Sequence, residues 1–325
     1  MGMKRYIARR LGQLVVTYFM FLTLLFVIFR LAPGDPASMY MMEGMTAQQR
    51  QDLLDRLGVG DPLHVQYLDY LAQLATLDLG QSFRYGNPVT EILWVRFWNT
   101  IFLMGTAFFF AYAIGISVGA ILGWVRGSDL EKFGIVATLI ARSSPEFWIG
   151  VVLLMIFTFW LGWFPSGGMR SVGYEALTFW GRYLSTDFVY HMFLPVLTGV
   201  IFYMATPILL MRSSMIQVLN SDFIEIKKAE GHPEYIILYY HAARNSILPI
   251  TTVLAIVVGM TLGGSLVIET VFSWPGMGRE MVDSVMHNDY PVAQAVFFLM
   301  GSVVIFMNFV ADIFYVYLDP RVRYE

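Results

Sequence analysis

The chain has 325 residues, of which 57% are apolar and only 14% charged, and a mean hydropathy of +0.60. A soluble domain carries roughly 45–50% apolar and about 25% charged residues, so a water-soluble globule is excluded, and a net charge of −3 gives no reason to invoke nucleic acid. There are no cysteines, which rules out disulfides, thiolate metal sites and a cysteine nucleophile.

A helix needs about 20 apolar residues to cross the hydrocarbon core, and six stretches qualify: 11–29, 100–125, 133–162, 191–211, 247–270 and 292–318. The expected class is therefore an all-α integral membrane protein with six transmembrane helices. The first stretch follows Lys4, Arg5, Arg9 and Arg10. It is longer than the 7–15 residue core of a secretory signal, so an uncleaved anchor over 1–30 is expected.

Residues 31–98 form the largest segment outside the apolar stretches. Thr46 and Gln49 have capping-box spacing ahead of Gln51-Asp52-Leu53-Leu54. Asp61-Pro62 reads as an N-cap followed by a proline at the first helical position. Leu63, Tyr67, Leu68 and Leu71 fall on one helical face. Asn87-Pro88 starts a helix expected to run into the second span. This segment is expected to be a small helical insertion.

The third stretch contains Ser143-Ser144-Pro145. Proline removes a backbone donor and clashes one turn back, so a kinked or broken helix is expected there, with its freed carbonyls satisfied by protein or water and not lipid. Trp94, Trp98, Trp160 and Trp163 fall near predicted boundaries, as interfacial belt residues do. Residues 163–190 and 271–291 read as loops on the same side as 31–98.

The segment 212–246 is charged and helical in pattern, interrupted at Gly231-His232-Pro233. Glycine ends helices well and proline cannot continue them. The expected structure is a helix over Ser213–Glu230, with a further break left open at Leu219-Asn220-Ser221-Asp222, then a sharp turn and a helix over Glu234–Asn245. With a cytoplasmic N-terminus, the inner segments hold twelve Lys and Arg, including all four lysines, and the outer segments hold eight over about twice the length. The positive-inside rule therefore places both termini, 212–246 and the 319–325 tail in the cytoplasm.

Four ionisable residues lie within or near the apolar stretches: Arg142, Glu146, Glu269 and Asp312. Each costs about 2.5–3.5 kcal/mol at a helix centre on insertion scales, so each should face protein or water. They are candidate pore or gate residues, with structural pairing as the plainer reading. Arg142 and Glu146 are four apart, the spacing of one helical face, unless Pro145 spoils it. The five histidines are scattered without a metal-ligand spacing. The sequence has no Gly-Lys dipeptide, so it lacks the P-loop phosphate cradle, and any nucleotide-driven step needs another subunit. No catalytic, cofactor-binding or metal site is expected.

The segment Ser221-Asp222-Phe223-Ile224, with Lys228-Ala229-Glu230-Gly231 and His241-Ala242-Ala243-Arg244-Asn245-Ser246-Ile247-Leu248-Pro249, resembles the coupling loop of the binding-protein-dependent ABC permeases. More narrowly it resembles the first of the two paired subunits in the dipeptide/oligopeptide/nickel branch. Further segments match in order. They include Arg30-Leu31-Ala32-Pro33-Gly34-Asp35-Pro36, Leu57-Gly58-Val59, Asp78-Leu79-Gly80, Ser144-Pro145 with Phe147-Trp148, Glu269-Thr270-Val271-Phe272-Ser273-Trp274-Pro275-Gly276-Met277-Gly278, Asp289-Tyr290-Pro291 and Leu318-Asp319-Pro320-Arg321. The family's Glu-Ala-Ala is replaced by Glu225-Ile226-Lys227.

The resemblance implies the type I ABC importer permease fold, with a permease core over 99–318. It implies one half of a translocation pathway, completed by a second homologous permease subunit. Two cytoplasmic ABC ATPases, carrying ATP and Mg, would grip the loop at Asp222, Phe223, Glu225, Lys228, Ala229, Glu230 and Gly231. An extracytoplasmic binding protein would deliver peptides or, in the same branch, oligosaccharide, glutathione or nickel chelates. Two other classes compete. An intramembrane enzyme would need a Ser/His or paired-Asp arrangement, which is not evident. An ion-coupled secondary transporter normally shows broken helices in both halves, and one break is evident here.

Overall fold

The computed structural model describes residues 3–31, 61–174, 178–247, 249–250, 253 and 264–318. The capping box at Thr46, the motifs at 32–36 and 57–59, most of the fifth stretch and the 319–325 tail lie outside the described residues.

The described chain is helical. In order it forms α1 (Met3–Leu31), α2 (Leu63–Thr76), α3 (Val89–Trp124), α4 (Asp129–Ser143) and α5 (Glu146–Leu153), which continues through a π-helical segment, Leu154–Trp160. There follow α6 (Phe179–Tyr183), α7 (Thr186–Tyr203), α8 (Ala205–Leu219) and α9 (Asp222–Ala229). A helix over 234–246, here α10, has a π-helical middle at Ile237–Ala243. The chain then forms α11 (Leu266–Val271), α12 (Met277–Met286) and α13 (Tyr290–Leu318). Among the described residues, four helical stretches are long and apolar enough to cross a membrane: Tyr6–Leu31, Val89–Trp124, Thr186–Leu219 and Tyr290–Val310. The pair α4 and α5, bent by 102°, makes a fifth if it is one span.

The centre of the bundle is α3 packed on α7 and α8. Gly115, Gly119 and Gly123 recur every four residues along α3 and let it approach α8 closely. A Cβ on Gly119 would lie 2.5 Å from the Ile208 carbonyl oxygen, and one on Gly123 would lie 2.7 Å from Met215 Cβ. Small residues at this spacing are the usual solution where lipid removes the hydrophobic drive between helices. The core continues through Leu103, Met104, Phe108 and Ala111 of α3 to Phe188 and Leu194 of α7 and Met211 of α8, all buried. At 36 residues, α3 is about 54 Å long, so it starts well before the apolar stretch expected at 100–125.

The break expected at Pro145 is present. Ser144 adopts an extended conformation and α5 restarts after Pro145. The Ser144 amide and hydroxyl both donate to the Ile140 carbonyl, at 3.1 and 2.9 Å, and close the last turn of α4 before the break. The bend places Arg142 and Glu146 on separate helices, so the single helical face expected for them does not exist.

Two local expectations, both in α2, are corrected. Helix α2 begins at Leu63 with Pro62, not Asp61, in the N-cap position. Its inward residues are Tyr67, Tyr70, Leu71 and Leu74, whereas Leu63 and Leu68 are exposed. Tyr67 and Tyr70 lie against Phe26 of α1, and ring packing selects that face over the aliphatic one. The break left open at Leu219-Asn220-Ser221-Asp222 is present, with Asn220 capping α8 and Ser221 starting α9. Trp98 is half-buried and packs edge-on against Trp94 and Phe179 at 5.7 and 5.5 Å.

One end of the bundle carries α2, the 81–88 turn, α6 and the 272–276 turn, and is the cap end. The opposite end carries the 125–128 turn, α9 and α10, and is the loop end. At the cap end, the buried Asp289 carboxylate accepts the Ser82 hydroxyl at 2.5 Å and the Phe83 and Arg84 amides at 3.1 and 3.2 Å. That fixes the 81–88 turn to the start of α13. At the loop end, Arg212 Nε donates to Glu131 at 2.8 Å, joining α8 to α4.

Candidate functional site

At the loop end, α9 stands as an eight-residue helix between two turns. It holds Asp222 and Glu225 in its first turn and Lys227 and Lys228 in its last, the arrangement its macrodipole favours. One buried side chain anchors it, and Phe223 adds an edge contact with His241 of α10. Ile224 is fully buried and packs with Met215 of α8 and with Ile237 and Ala242 of α10. Burying an isoleucine stabilises the junction by about 1.5–3 kcal/mol. The remaining face points outward: Asp222, Phe223, Glu225, Lys228, Ala229, Glu230 and Gly231 are all exposed.

The turn after α9 depends on Gly231, whose φ is +80°, a value side-chain-bearing residues rarely adopt. Lys227 Nζ donates to Glu230 at 2.7 Å, and His232 Nε2 lies 3.2 Å from the same oxygen. Lys227, with His232 behind it, holds the Glu230 carboxyl below its usual range. His241 of α10 stacks on this turn, 5.2 Å from His232 and 5.9 Å from Phe223. Desolvation first, then the charges of His232 and Lys227, push the His241 imidazole below its ordinary value. Sequence reasoning missed the flank of this surface: Tyr235, Tyr239 and Tyr240 are exposed on α10 beside α9. The signal was the run Tyr235-Ile236-Ile237-Leu238-Tyr239-Tyr240, too polar at three positions for a buried helix.

The four ionisable residues of the apolar stretches separate into different environments. Asp312 of α13 pairs with Arg10 of α1 at 3.1 Å, so it is a tie between the first and last helices. Arg142 is exposed at the end of α4. Glu146 begins α5, and its Oε1 accepts from the Tyr203 hydroxyl at 2.9 Å and the Ser265 hydroxyl at 3.1 Å.

Glu269 is completely buried at the cap end. Its carboxylate accepts the Thr100 hydroxyl at 2.7 Å and the Arg279 amide at 2.9 Å. The Thr100 oxygen accepts in turn from the Met277 amide at 2.8 Å. A Cβ on Gly276 would collide with the carboxylate, which is why the turn carries glycine there. The same turn is held by Asn99, whose amide donates to the Pro275 carbonyl at 2.7 Å, and whose own carbonyl accepts from Trp274 Nε1 at 3.0 Å. Tyr183 completes the set by donating to Asn99 Oδ1 at 2.9 Å. Asn99, Thr100 and Tyr183 carried no sequence signal, because nothing in their local sequence names the distant partners they hold.

The arrangement is thus a helical membrane bundle with a clamped cap end and a protruding charged helix at the loop end. Two family models match it. One, described as the N-terminal part of a binding-protein-dependent transport system membrane component, covers residues 3–104. The other, described as the binding-protein-dependent transport system inner membrane component, covers residues 115–324. The chain belongs to this family. It is the membrane permease component of a binding-protein-dependent transport system, and the resemblance carried by the 221–249 segment holds over its whole length.

Among its relatives, the oligopeptide transport system permease protein AppB of Bacillus subtilis is 35% identical over 99% of this chain and 100% of its own. The di/tripeptide transport system permease protein DppB of Pseudomonas aeruginosa is 35% identical over 99% of this chain and 100% of its own. The dipeptide transport system permease protein DppB of Escherichia coli is 33% identical, again over 99% and 100%. A solved structure of the MetNI methionine ABC transporter in an inward-facing conformation superposes with a TM-score of 0.54 at 17% identity, covering 72% of this chain and 99% of that one. At that identity the likeness speaks for the fold, an ABC importer permease bundle.

Proposed function

We propose that the chain forms one half of the membrane pathway of an ATP-driven peptide importer. The relatives named for oligopeptide, dipeptide and tripeptide transport support that cargo. In this reading the chain crosses the membrane six times, 247–270 being the fifth span, with the loop end and both termini in the cytoplasm. A second homologous permease subunit completes the path, and an extracytoplasmic binding protein delivers peptide at the cap end. Two cytoplasmic ABC ATPases bind and hydrolyse ATP, and this chain holds no nucleotide of its own.

The observation that carries the proposal is the construction of α9. Its outward residues are exposed, and its one buried residue, Ile224, joins it to both α8 and α10. A force applied to Asp222, Phe223, Glu225, Lys228, Ala229, Glu230 or Gly231 therefore passes to two membrane-directed helices as to rigid levers. ATP-driven closure of the ATPases would draw the two α9 helices of the permease pair together and open the path outward, and hydrolysis would reset it.

Cysteine accessibility tests the orientation, since the chain has no native cysteine. A Lys228→Cys variant should be labelled from the cytoplasmic side only. Labelling from outside ends the reading. For coupling, Phe223→Ala should lower peptide uptake and copurification of the ATPases while membrane insertion persists.

A further inference from the structure

Glu146 stands where three elements meet: the first turn of α5, the end of α7 through Tyr203, and the entry to α11 through Ser265. Both of its donors are neutral. Among the described residues, no Lys, Arg or His forms an ion pair with it. Arg142, close in sequence, is carried away by the 102° bend. The 247–270 stretch holds no Lys, Arg or His, so that segment supplies no countercharge either. A half-buried carboxylate beside a helix break in a membrane bundle is thus left without a cation.

The hydrogen-bond bookkeeping is more specific. Tyr203 and Ser265 each own one hydroxyl proton, and both point at Oε1. Their oxygens therefore have no proton left to give; the Ser265 oxygen already accepts the Ile268 amide at 3.1 Å and keeps one acceptor lone pair, and the Tyr203 oxygen keeps its own. Glu146 Oε2 has no protein partner among the described residues and is not sealed within the protein. Three acceptors, one of them anionic, are grouped for a ligand with several donors and a positive charge. A groove of about 500 Å³ lies along the bend, lined by Ile140, Ser143, Ser144, Pro145 and Trp148, so it passes beside Glu146 without being lined by it.

We propose that Glu146, Tyr203 and Ser265 form a subsite for the α-ammonium group of a peptide in transit. This rests on the peptide-cargo reading above. Peptides of varied sequence share only their backbone and two ends, and of these the –NH3+ terminus supplies three donors and the charge that the three oxygens lack. A path that holds the amino terminus and leaves side chains uncontacted passes many sequences.

The test uses the full complex, with partner permease, ATPases and binding protein, in proteoliposomes supplied with labelled dialanine. Glu146→Gln keeps an acceptor for Tyr203 and Ser265 and removes the charge. Uptake per ATP hydrolysed should fall by at least about tenfold, the scale of one charge-assisted hydrogen bond. Tyr203→Phe keeps the charge and removes one acceptor, and should cost about two- to fivefold. Dialanine uptake by Glu146→Gln at the wild-type ratio overturns the subsite while leaving the peptide reading intact. Poor assembly of the Glu146→Gln complex also overturns it, and makes the carboxylate a tie between subunits. A wild-type complex that imports no peptide overturns the cargo reading, and with it the ammonium as ligand.

Discussion

The Thr100 hydroxyl and the Glu269 carboxylate meet at 2.7 Å, both completely buried. Thr100 sits in the first third of α3, whereas Glu269 belongs to α11, so this pair fixes the 272–276 turn to the 36-residue helix at the centre of the bundle. The threonine oxygen serves twice, donating to Glu269 and accepting from the Met277 amide. Thr100→Val keeps the shape and removes both bonds. It should destabilise the protein by about 1–3 kcal/mol, the cost of leaving buried polar groups unpaired. Thr100→Ser restores the oxygen and should recover most of that loss. Thermal unfolding of the purified complex measures both, and a wild-type midpoint for the valine variant refutes the clamp.

The glycine stripe on α3 yields a second expectation. A Cβ at Gly119 meets the Ile208 carbonyl oxygen at 2.5 Å and Met211 Cβ at 2.7 Å, and neither neighbour can move without shifting α8. Gly119→Ala should cost about 1–3 kcal/mol through overpacking, and Gly119→Leu should prevent α3 and α8 from docking. Gly12 on α1 has nothing within 4 Å of a built Cβ, so Gly12→Ala serves as the neutral control. The yield of monodisperse protein from membranes separates them.

The loop-end surface was legible in the sequence and the buried clamps were not, for a physical reason. Gly231-His232-Pro233 announces a turn because glycine and proline act locally, and Asp222 to Lys228 announces a helix because its charges follow the macrodipole. The bend at Pro145 was legible on the same local grounds. The clamps depend on pairs far apart in the chain, such as Asn99 with Pro275 or Ser82 with Asp289. One polar residue in an apolar stretch gives no hint of its partner. Glu269 was recognisable as a charge in an apolar stretch, yet its Thr100 contact was not. The Arg142–Glu146 pairing failed because a helical spacing rule was carried across a residue that ends the helix.

Gly231 tests the turn separately from the helix before it. A Cβ there meets nothing within 4 Å, so the cost of substitution comes from its φ of +80° and not from crowding. Gly231→Ala should cost about 1 kcal/mol and Gly231→Asn less, since asparagine tolerates the left-handed region. Gly231→Val, with a branched side chain, should redirect the chain after α9. Peptide uptake should then collapse while membrane insertion stays normal. Uptake at the wild-type level in the valine variant refutes the coupling role assigned to this turn.

Acid should loosen the same turn in two steps. Lys227, aided by His232, holds the Glu230 carboxyl below its usual range, so its contribution is present above the ordinary glutamate value and is lost as pH falls through the lowered one. Desolvation, then His232 and Lys227, lower the His241 imidazole. The unfolded turn therefore binds a proton first, and stability falls as pH drops from the ordinary histidine range through the lowered value. Both shifts have the same sign and act in separate windows. Amide exchange over α9 and residues 230–232, corrected for the intrinsic pH dependence, should rise first below neutrality and again in the carboxylate range. His241→Gln should abolish the first rise and leave the second, whereas Lys227→Gln should move the second toward the ordinary glutamate value. A single rise that is insensitive to His241→Gln refutes the histidine contribution.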